Sequence, residues 1–179
     1  MARAVFLDRD GTVIEDVGYL QSPSEIKFLP GAIEAIKKLN NHGFKVIVIT
    51  NQSGIARKML SEKDFKMITG EIDRLLAKSG AKIDATYHCP HHPKQSEPCE
   101  CRKPSPGMIL KAAKEHNLDL KSSFMVGDKD LDVECGQRAG TKSIRLISEY
   151  EMKKDLAPDH IAKDLPQAVE WIMALSSNG

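Results

Sequence analysis

The apolar run Val5-Phe6-Leu7 ends in two acids, Asp8 and Asp10, with Arg9 between them and Gly11-Thr12 behind. A carboxylate at the end of a buried strand is costly to desolvate without a partner, so packing alone does not explain the pair. A third acid, Asp128, closes a second apolar run, Phe124-Met125-Val126-Gly127. Carboxylates brought face to face repel unless a cation lies between them, and nothing near them in sequence fixes a lysine there. Mg²⁺, a hard ion that takes oxygen ligands and keeps several waters, suits such an open site. An aspartate can also attack phosphorus and carry a phosphoryl group, which makes Asp8 a candidate nucleophile. Asp10 is then a candidate general acid for the leaving alcohol. Gly11 permits a sharp turn that frees backbone N–H groups for an anion. Phosphoryl transfer also needs donors around the equatorial oxygens. Thr50 and Asn51, ending a third run, supply a hydroxyl and an amide, and Lys103, before Pro104, supplies a full charge.

A second constellation lies in "CPHHPKQSEPCECRKP", residues 89–104. Cys89, His91, Cys99 and Cys101 are four soft or borderline ligands within thirteen residues. Three thiolates and one imidazole make a closed tetrahedral zinc set. The stretch has too few apolar residues to fold itself, and a metal would order it. Other readings stay open: a Cys99–Cys101 redox pair, His88 or His92 in place of His91, or histidines that are simply exposed. Cys135 falls within a helical pattern and reads as a small packed residue.

Five short runs rich in Val and Ile read as strands: Ala4–Leu7, Lys45–Ile49, Ala85–Tyr87, Phe124–Val126 and Ser143–Ile147. Helical periodicity fills the gaps. Ile33, Ile36 and Leu39 form one stripe, and Phe65, Ile68, Ile72, Leu75 and Leu76 form another behind a capping-box-like Ser61…Asp64. A third helix is expected from Ser105-Pro106, a fourth over about Leu131–Ala139 and a last from Pro166 through Leu175. Strand alternating with helix predicts a doubly wound, Rossmann-like α/β fold with a parallel sheet, in one domain spanning 1–179. In that fold the strand ends share one edge, so Asp8, Thr50-Asn51, His88-Cys89 and Gly127-Asp128 should meet in one crevice.

The chain carries a formal charge of +1 with no basic block, which argues against nucleic acid as partner. No apolar run approaches the roughly 20 residues of a membrane helix, and the start lacks a signal-like pattern. A cytoplasmic monomer is expected, its four cysteines thiols or metal ligands.

Together, "DRDGT", "ITNQSG", "RKPSPGM" and "VGDKDLD" resemble the four ordered motifs of the haloacid dehalogenase superfamily of aspartyl phosphatases. The resemblance implies Asp8 as nucleophile, Asp10 as general acid/base, and Thr50 and Lys103 as ligands of the phosphoryl group. It implies Mg²⁺ held by the Asp8 side chain, the Asp10 backbone carbonyl and Asp128. Asp132 looks like an outer-shell acid or an ordinary exposed helix residue. The zinc loop, about 88–104, directly before "CRKP", and the segments "GYL" and "TNQSGIAR", are similar to the D-glycero-D-manno-heptose 1,7-bisphosphate phosphatases, as is the lack of a cap domain. Histidinol-phosphate phosphatases are close neighbours. This implies a small sugar bisphosphate as substrate, its C7 phosphate removed, in the making of nucleotide-activated heptose for cell-surface glycans. The second phosphate needs a cation: Arg102 first, with Gln52 and Arg57 as further candidates beside Asn51. "TNQSGI" is also similar to polynucleotide 3′-phosphatases, and a zinc-ordered interaction module on an inactive phosphatase fold would require a lost nucleophile or metal ligand, but Asp8 and Asp128 are both present. Arg9 is expected to point away, without a role.

Overall fold

The computed structural model describes residues 1–94 and 96–177. Six parallel strands form one sheet: β1 (Ala4–Leu7), β2 (Lys45–Asn51), β3 (Ala85–Cys89), β4 (Phe124–Gly127), β5 (Lys142–Leu146) and β6 (His160–Ala162). Their spatial order is β3-β2-β1-β4-β5-β6. The chain winds outward from β1 to β3, returns to pair β4 with β1, and continues outward on the other side. The direction of winding therefore reverses beside β1, the place where open α/β sheets bind ligands.

Side-chain alternation divides the core into two layers. Val5 and Leu7 of β1, with Val46 and Val48 of β2, face α1 (Ala32–Asn41), α2 (Glu62–Lys78) and α5 (Leu165–Ser177). Ala4 and Phe6, with Ile47, Ile49 and Met125, face α3 (Gly107–His116) and α4 (Asp130–Ala139). The same alternation continues past the strand ends. Asp8 follows Phe6 toward the α3/α4 side, Arg9 follows Leu7 toward α2, and Asn51 follows Ile49.

The expected capping box is present: Ser61 accepts from the Asp64 N–H, and Asp64 accepts from the Ser61 N–H. Helix α3 begins one residue later than expected, with Pro106 as its cap rather than its first residue. Strand β6 has no counterpart in the sequence reading. Its three residues, His-Ile-Ala, are too short to show a period, and it forms because β5 offers a free edge. Strands β2 and β3 run two residues further than expected, carrying Thr50-Asn51 and His88-Cys89 within the ladder.

Phe6 is fully buried between β2 and β4 on the α3/α4 layer. Phe6→Ala is expected to lower the unfolding free energy by about 3–5 kcal/mol, read as a lower urea midpoint at unchanged slope.

Candidate active site

Four chain segments converge at the carboxyl ends of β1, β2 and β4. Asp8 is fixed by its own N–H, which donates to the Val126 carbonyl at 3.0 Å. Lys103 arrives from the loop before α3 and is fully buried. Its ammonium lies 2.7 Å from Asp8 Oδ1, 2.7 Å from Asp132 Oδ1 and 2.9 Å from the Ile49 carbonyl. Burial alone would push the Lys103 pKa down, but Asp132 and Asp8 hold it above the ordinary value. The lysine that local sequence did not supply thus arrives from 95 residues away. Asp132 is no exposed helix residue: it is 0% exposed, and its Oδ2 accepts the Lys129 N–H at the start of α4.

Asp128 stands beside this knot. Oxygens of Asp8, Asp128 and Asp132 all lie within 4.8 Å of one another, a set able to hold a metal ion. Burial, then the charge of Asp8, pushes the Asp128 pKa up to about 7. Its Oδ1 is buried without a hydrogen-bond partner among the described residues. A hard cation would satisfy that oxygen and relieve the repulsion, so the donor set fits Mg²⁺. Gly11 is needed here. Its φ is +81°, and a Cβ on it would overlap the Asp128 carboxylate.

Asp10 lines the same cleft but has its own partners. Gln52 Nε2 donates to Asp10 Oδ2 at 3.0 Å and to Thr50 Oγ1 at 2.9 Å, tying the first two motifs together. Burial raises the Asp10 pKa against the opposing pull of Arg9. Arg9 does not point away from the site. It is 3% exposed and grips Asp10 through Nε and Nη2 at 2.9–3.2 Å.

The cleft, about 500 Å³, is lined by Asp8, Asp10, Thr50, Asn51, Arg102 and Lys103, with a rim that includes Asp16, Tyr19, Lys129 and Tyr150. Asn51 touches the cleft, but its amide has another task. Oδ1 accepts the Lys103 N–H at 3.0 Å and Nδ2 donates to the Lys103 carbonyl at 3.1 Å, clamping that backbone. Arg102 donates to the His91 carbonyl at 3.0 Å and faces the cleft. Arg57 stands further back, 2.6 Å from His92 Nε2 and against the Tyr19 ring. The rim ion pair Lys129–Asp16, 2.8 Å, and Tyr150 were not anticipated. Only long-range folding brings those loops together.

The sulfurs of Cys89, Cys99 and Cys101 and the Nδ1 of His91 also gather within 4.8 Å of one another. His91 Nδ1 lies 3.5 Å from Cys89 Sγ and 3.3 Å from Cys101 Sγ. The competing histidines are engaged elsewhere. His88 bonds Glu62 and packs on Phe65, and His92 meets Arg57. Cys135 is buried against the Ser105 carbonyl, a packed residue as expected.

This geometry has relatives. The chain is 43% identical to a D-glycero-beta-D-manno-heptose-1,7-bisphosphate 7-phosphatase of Yersinia pestis, over 93% of this chain and 95% of that one. The chain belongs to the haloacid dehalogenase-like hydrolases. A family model of that description matches residues 5–72, and a HAD-hydrolase-like model matches 100–168. The Escherichia coli K12 beta-heptose enzyme is 40% identical over 93% of each chain. A Photorhabdus laumondii protein named for the alpha anomer is 42% identical over 81% of this chain and 82% of that one. Among solved structures, the D,D-heptose bisphosphate phosphatase from B. bronchiseptica, complexed with magnesium and phosphate, superposes with a TM-score of 0.86 at 30% identity, covering 97% of this chain and 99% of that one. No described helix is long and apolar enough to cross a membrane.

For a haloacid dehalogenase-like hydrolase with this acid cluster, the raised Asp128 pKa has a measurable sign. Without a divalent cation the folded protein keeps a proton up to about pH 7 that the unfolded chain releases near pH 4. That stabilising contribution is complete below pH 4 and is lost as pH rises through 7. In chelator the melting temperature should fall between pH 5 and 8, and Mg²⁺ should raise it more at pH 8 than at pH 5. Equal Mg²⁺ shifts at both pH values would contradict this site.

Proposed function

We propose that this protein is a Mg²⁺-dependent phosphatase that removes the C7 phosphate of D-glycero-D-manno-heptose 1,7-bisphosphate and leaves the heptose 1-phosphate. The observation that carries this reading is the 43% identity over nearly the whole chain to a phosphatase named for that substrate. The site geometry supports it residue by residue.

Asp8 attacks phosphorus, and the bond from phosphorus to the C7 oxygen breaks. Asp10 gives its proton to that oxygen, so the sugar leaves as an alcohol. Asp10, now a carboxylate, takes a proton from water, which attacks the aspartyl phosphate and frees Asp8 and phosphate. Thr50 and Lys103 bind the equatorial oxygens, and Gln52 holds Thr50 and Asp10 in register. Mg²⁺, held by Asp8, Asp128 and the Asp10 carbonyl, would supply Lewis-acid stabilisation of the phosphoryl charge. Arg102 receives the C1 phosphate. Its guanidinium reaches the cleft and donates to a carbonyl rather than a carboxylate. Histidinol phosphate presents a positively charged amine instead of a second anion, which Arg102 disfavours. The same reading takes the protein as a cytoplasmic monomer acting on a small sugar phosphate.

Incubation with either anomer of the heptose bisphosphate and Mg²⁺ should release one phosphate per sugar and keep the anomeric phosphate. Asp8→Asn should lose at least about 10³-fold in turnover. Equal turnover by Asp8→Asn, or faster turnover of histidinol phosphate, would overturn the assignment.

Zinc in the Cys89, His91, Cys99 and Cys101 cluster orders the loop that ends in Arg102 and Lys103. Protein purified without chelator should carry about one zinc per chain. Cys99→Ser should lose the metal and raise the KM for the bisphosphate; full zinc retention would refute the ligand set.

A further inference from the structure

We infer that Arg9 is a positioning residue for Asp10, the reading of Asp10 as general acid being the one given above. Strand alternation sends Arg9 after Val5 and Leu7, beneath α2. The guanidinium lies 5.7 Å from the Phe65 ring centroid, and the residue shares a small cavity with Val13, Val48, Ile72 and Ile83 and with the polar Thr69, Asp73 and Thr86, yet its ion pair is with Asp10. A buried guanidinium is costly there without acceptors, and Asp10 supplies them, matching its charge whenever the carboxyl has given up its proton. Both Nε and Nη2 reach both carboxylate oxygens, at 2.9–3.2 Å.

Neighbours in a strand point to opposite faces, so this contact requires the chain to leave the strand after Arg9. It does. The Arg9 carbonyl accepts the N–H groups of Val13 and Ile14 at 2.9 and 3.1 Å, which curls residues 10–14 back over the arginine. Asp10 consequently has a fixed plane, with Arg9 on one side and Gln52 Nε2 on Oδ2. A fork-shaped donor fixes a carboxylate plane, which a lysine's point charge does not. The side chain that must meet the leaving oxygen is therefore oriented before substrate arrives, which is where most of the advantage of an intramolecular proton donor lies. Arg9 is too buried to touch substrate and acts through Asp10 alone.

Leaving-group chemistry tests this. An alkoxide needs a proton as it departs, whereas p-nitrophenolate does not. First-turnover release of the alcohol should be timed for the heptose bisphosphate and for p-nitrophenyl phosphate, in wild type, Asp10→Asn, Arg9→Gln and Arg9→Lys, all with Mg²⁺. Both Arg9 variants are expected to slow the sugar substrate on the order of 10²-fold, at little changed KM, and the aryl substrate less than a few-fold. Arg9→Lys keeps the charge and most of the volume and carries the comparison if Arg9→Gln does not fold. Equal losses on both substrates, or no loss, with Asp10→Asn still selective, overturn the role of Arg9 and leave Asp10 as the acid. An Asp10→Asn variant without selectivity overturns the general-acid reading, and this inference with it.

Discussion

Lys103 brings its ammonium, fully buried, to 2.7 Å from Asp8 and 2.7 Å from Asp132, joining the end of β1, the loop before α3 and the first turn of α4. Removing Lys103 would leave two buried carboxylates without their cation, so the three segments are held together through it. Their positions are secured from outside the knot. Asn51 clamps the Lys103 backbone on both sides, the Lys129 N–H fixes Asp132, and the sheet fixes Asp8. Each of these supports is a strand or helix terminus, so folding of the sheet and assembly of the site are one event.

The loop that delivers Lys103 has almost no apolar content of its own. Two features mark its ends: the ligand atoms of Cys89, His91, Cys99 and Cys101 gathered at its base, and close backbone packing where it enters α3. At Gly107 a Cβ would collide with the Glu100 carbonyl. Cys89 ends β3 and Cys101 immediately precedes Arg102-Lys103, so the cluster ties a strand of the sheet directly to the residues that enter the cleft. The loop is thereby placed relative to the chemistry by two short covalent paths, which is the use of a rigid support behind a site.

Much of this was legible in the residues because it depends on local pattern. Strand ends marked by Asp8, Thr50, Cys89 and Asp128 follow from apolar runs that stop at polar residues, and the parallel order of β1 to β5 makes those ends converge. The cysteine cluster was legible because its four ligands lie close in sequence, although the choice of His91 over His88 and His92 needed the structure to show where Glu62 and Arg57 lie. What stayed hidden depends on distant partners. Arg9 was expected to point away without a role, because only the turn after β1 folds Asp10 onto it. Asn51 resembled a ligand donor until Lys103 arrived beside it, and Asp132 read equally as an outer-shell acid or an exposed helix residue until its buried contact with Lys103 removed the second. Strand β6 was hidden for the same reason, since only the free edge of β5 makes three residues a strand.

Charge accounting links these parts to the proposed chemistry. Asp8, Asp128 and Asp132 against Lys103 leave two negative charges at the centre, the deficit a divalent cation fills. Asp16 with Lys129 is a neutral pair, and Arg9 with Asp10 is neutral once Asp10 has given up its proton. Arg102 is different: its partner is the His91 carbonyl, and no described carboxylate lies within ion-pair distance of it. Outside the chemical centre the cleft is lined by the Arg102 cation and by the Glu149 carboxylate. A bisphosphate would place one anion at the centre and a second within reach of Arg102, whose guanidinium already donates to a neutral carbonyl. On the reading proposed above, the phosphate held by Arg102 is the one kept, and the one beside Asp8, Asp10 and Lys103 is the one removed.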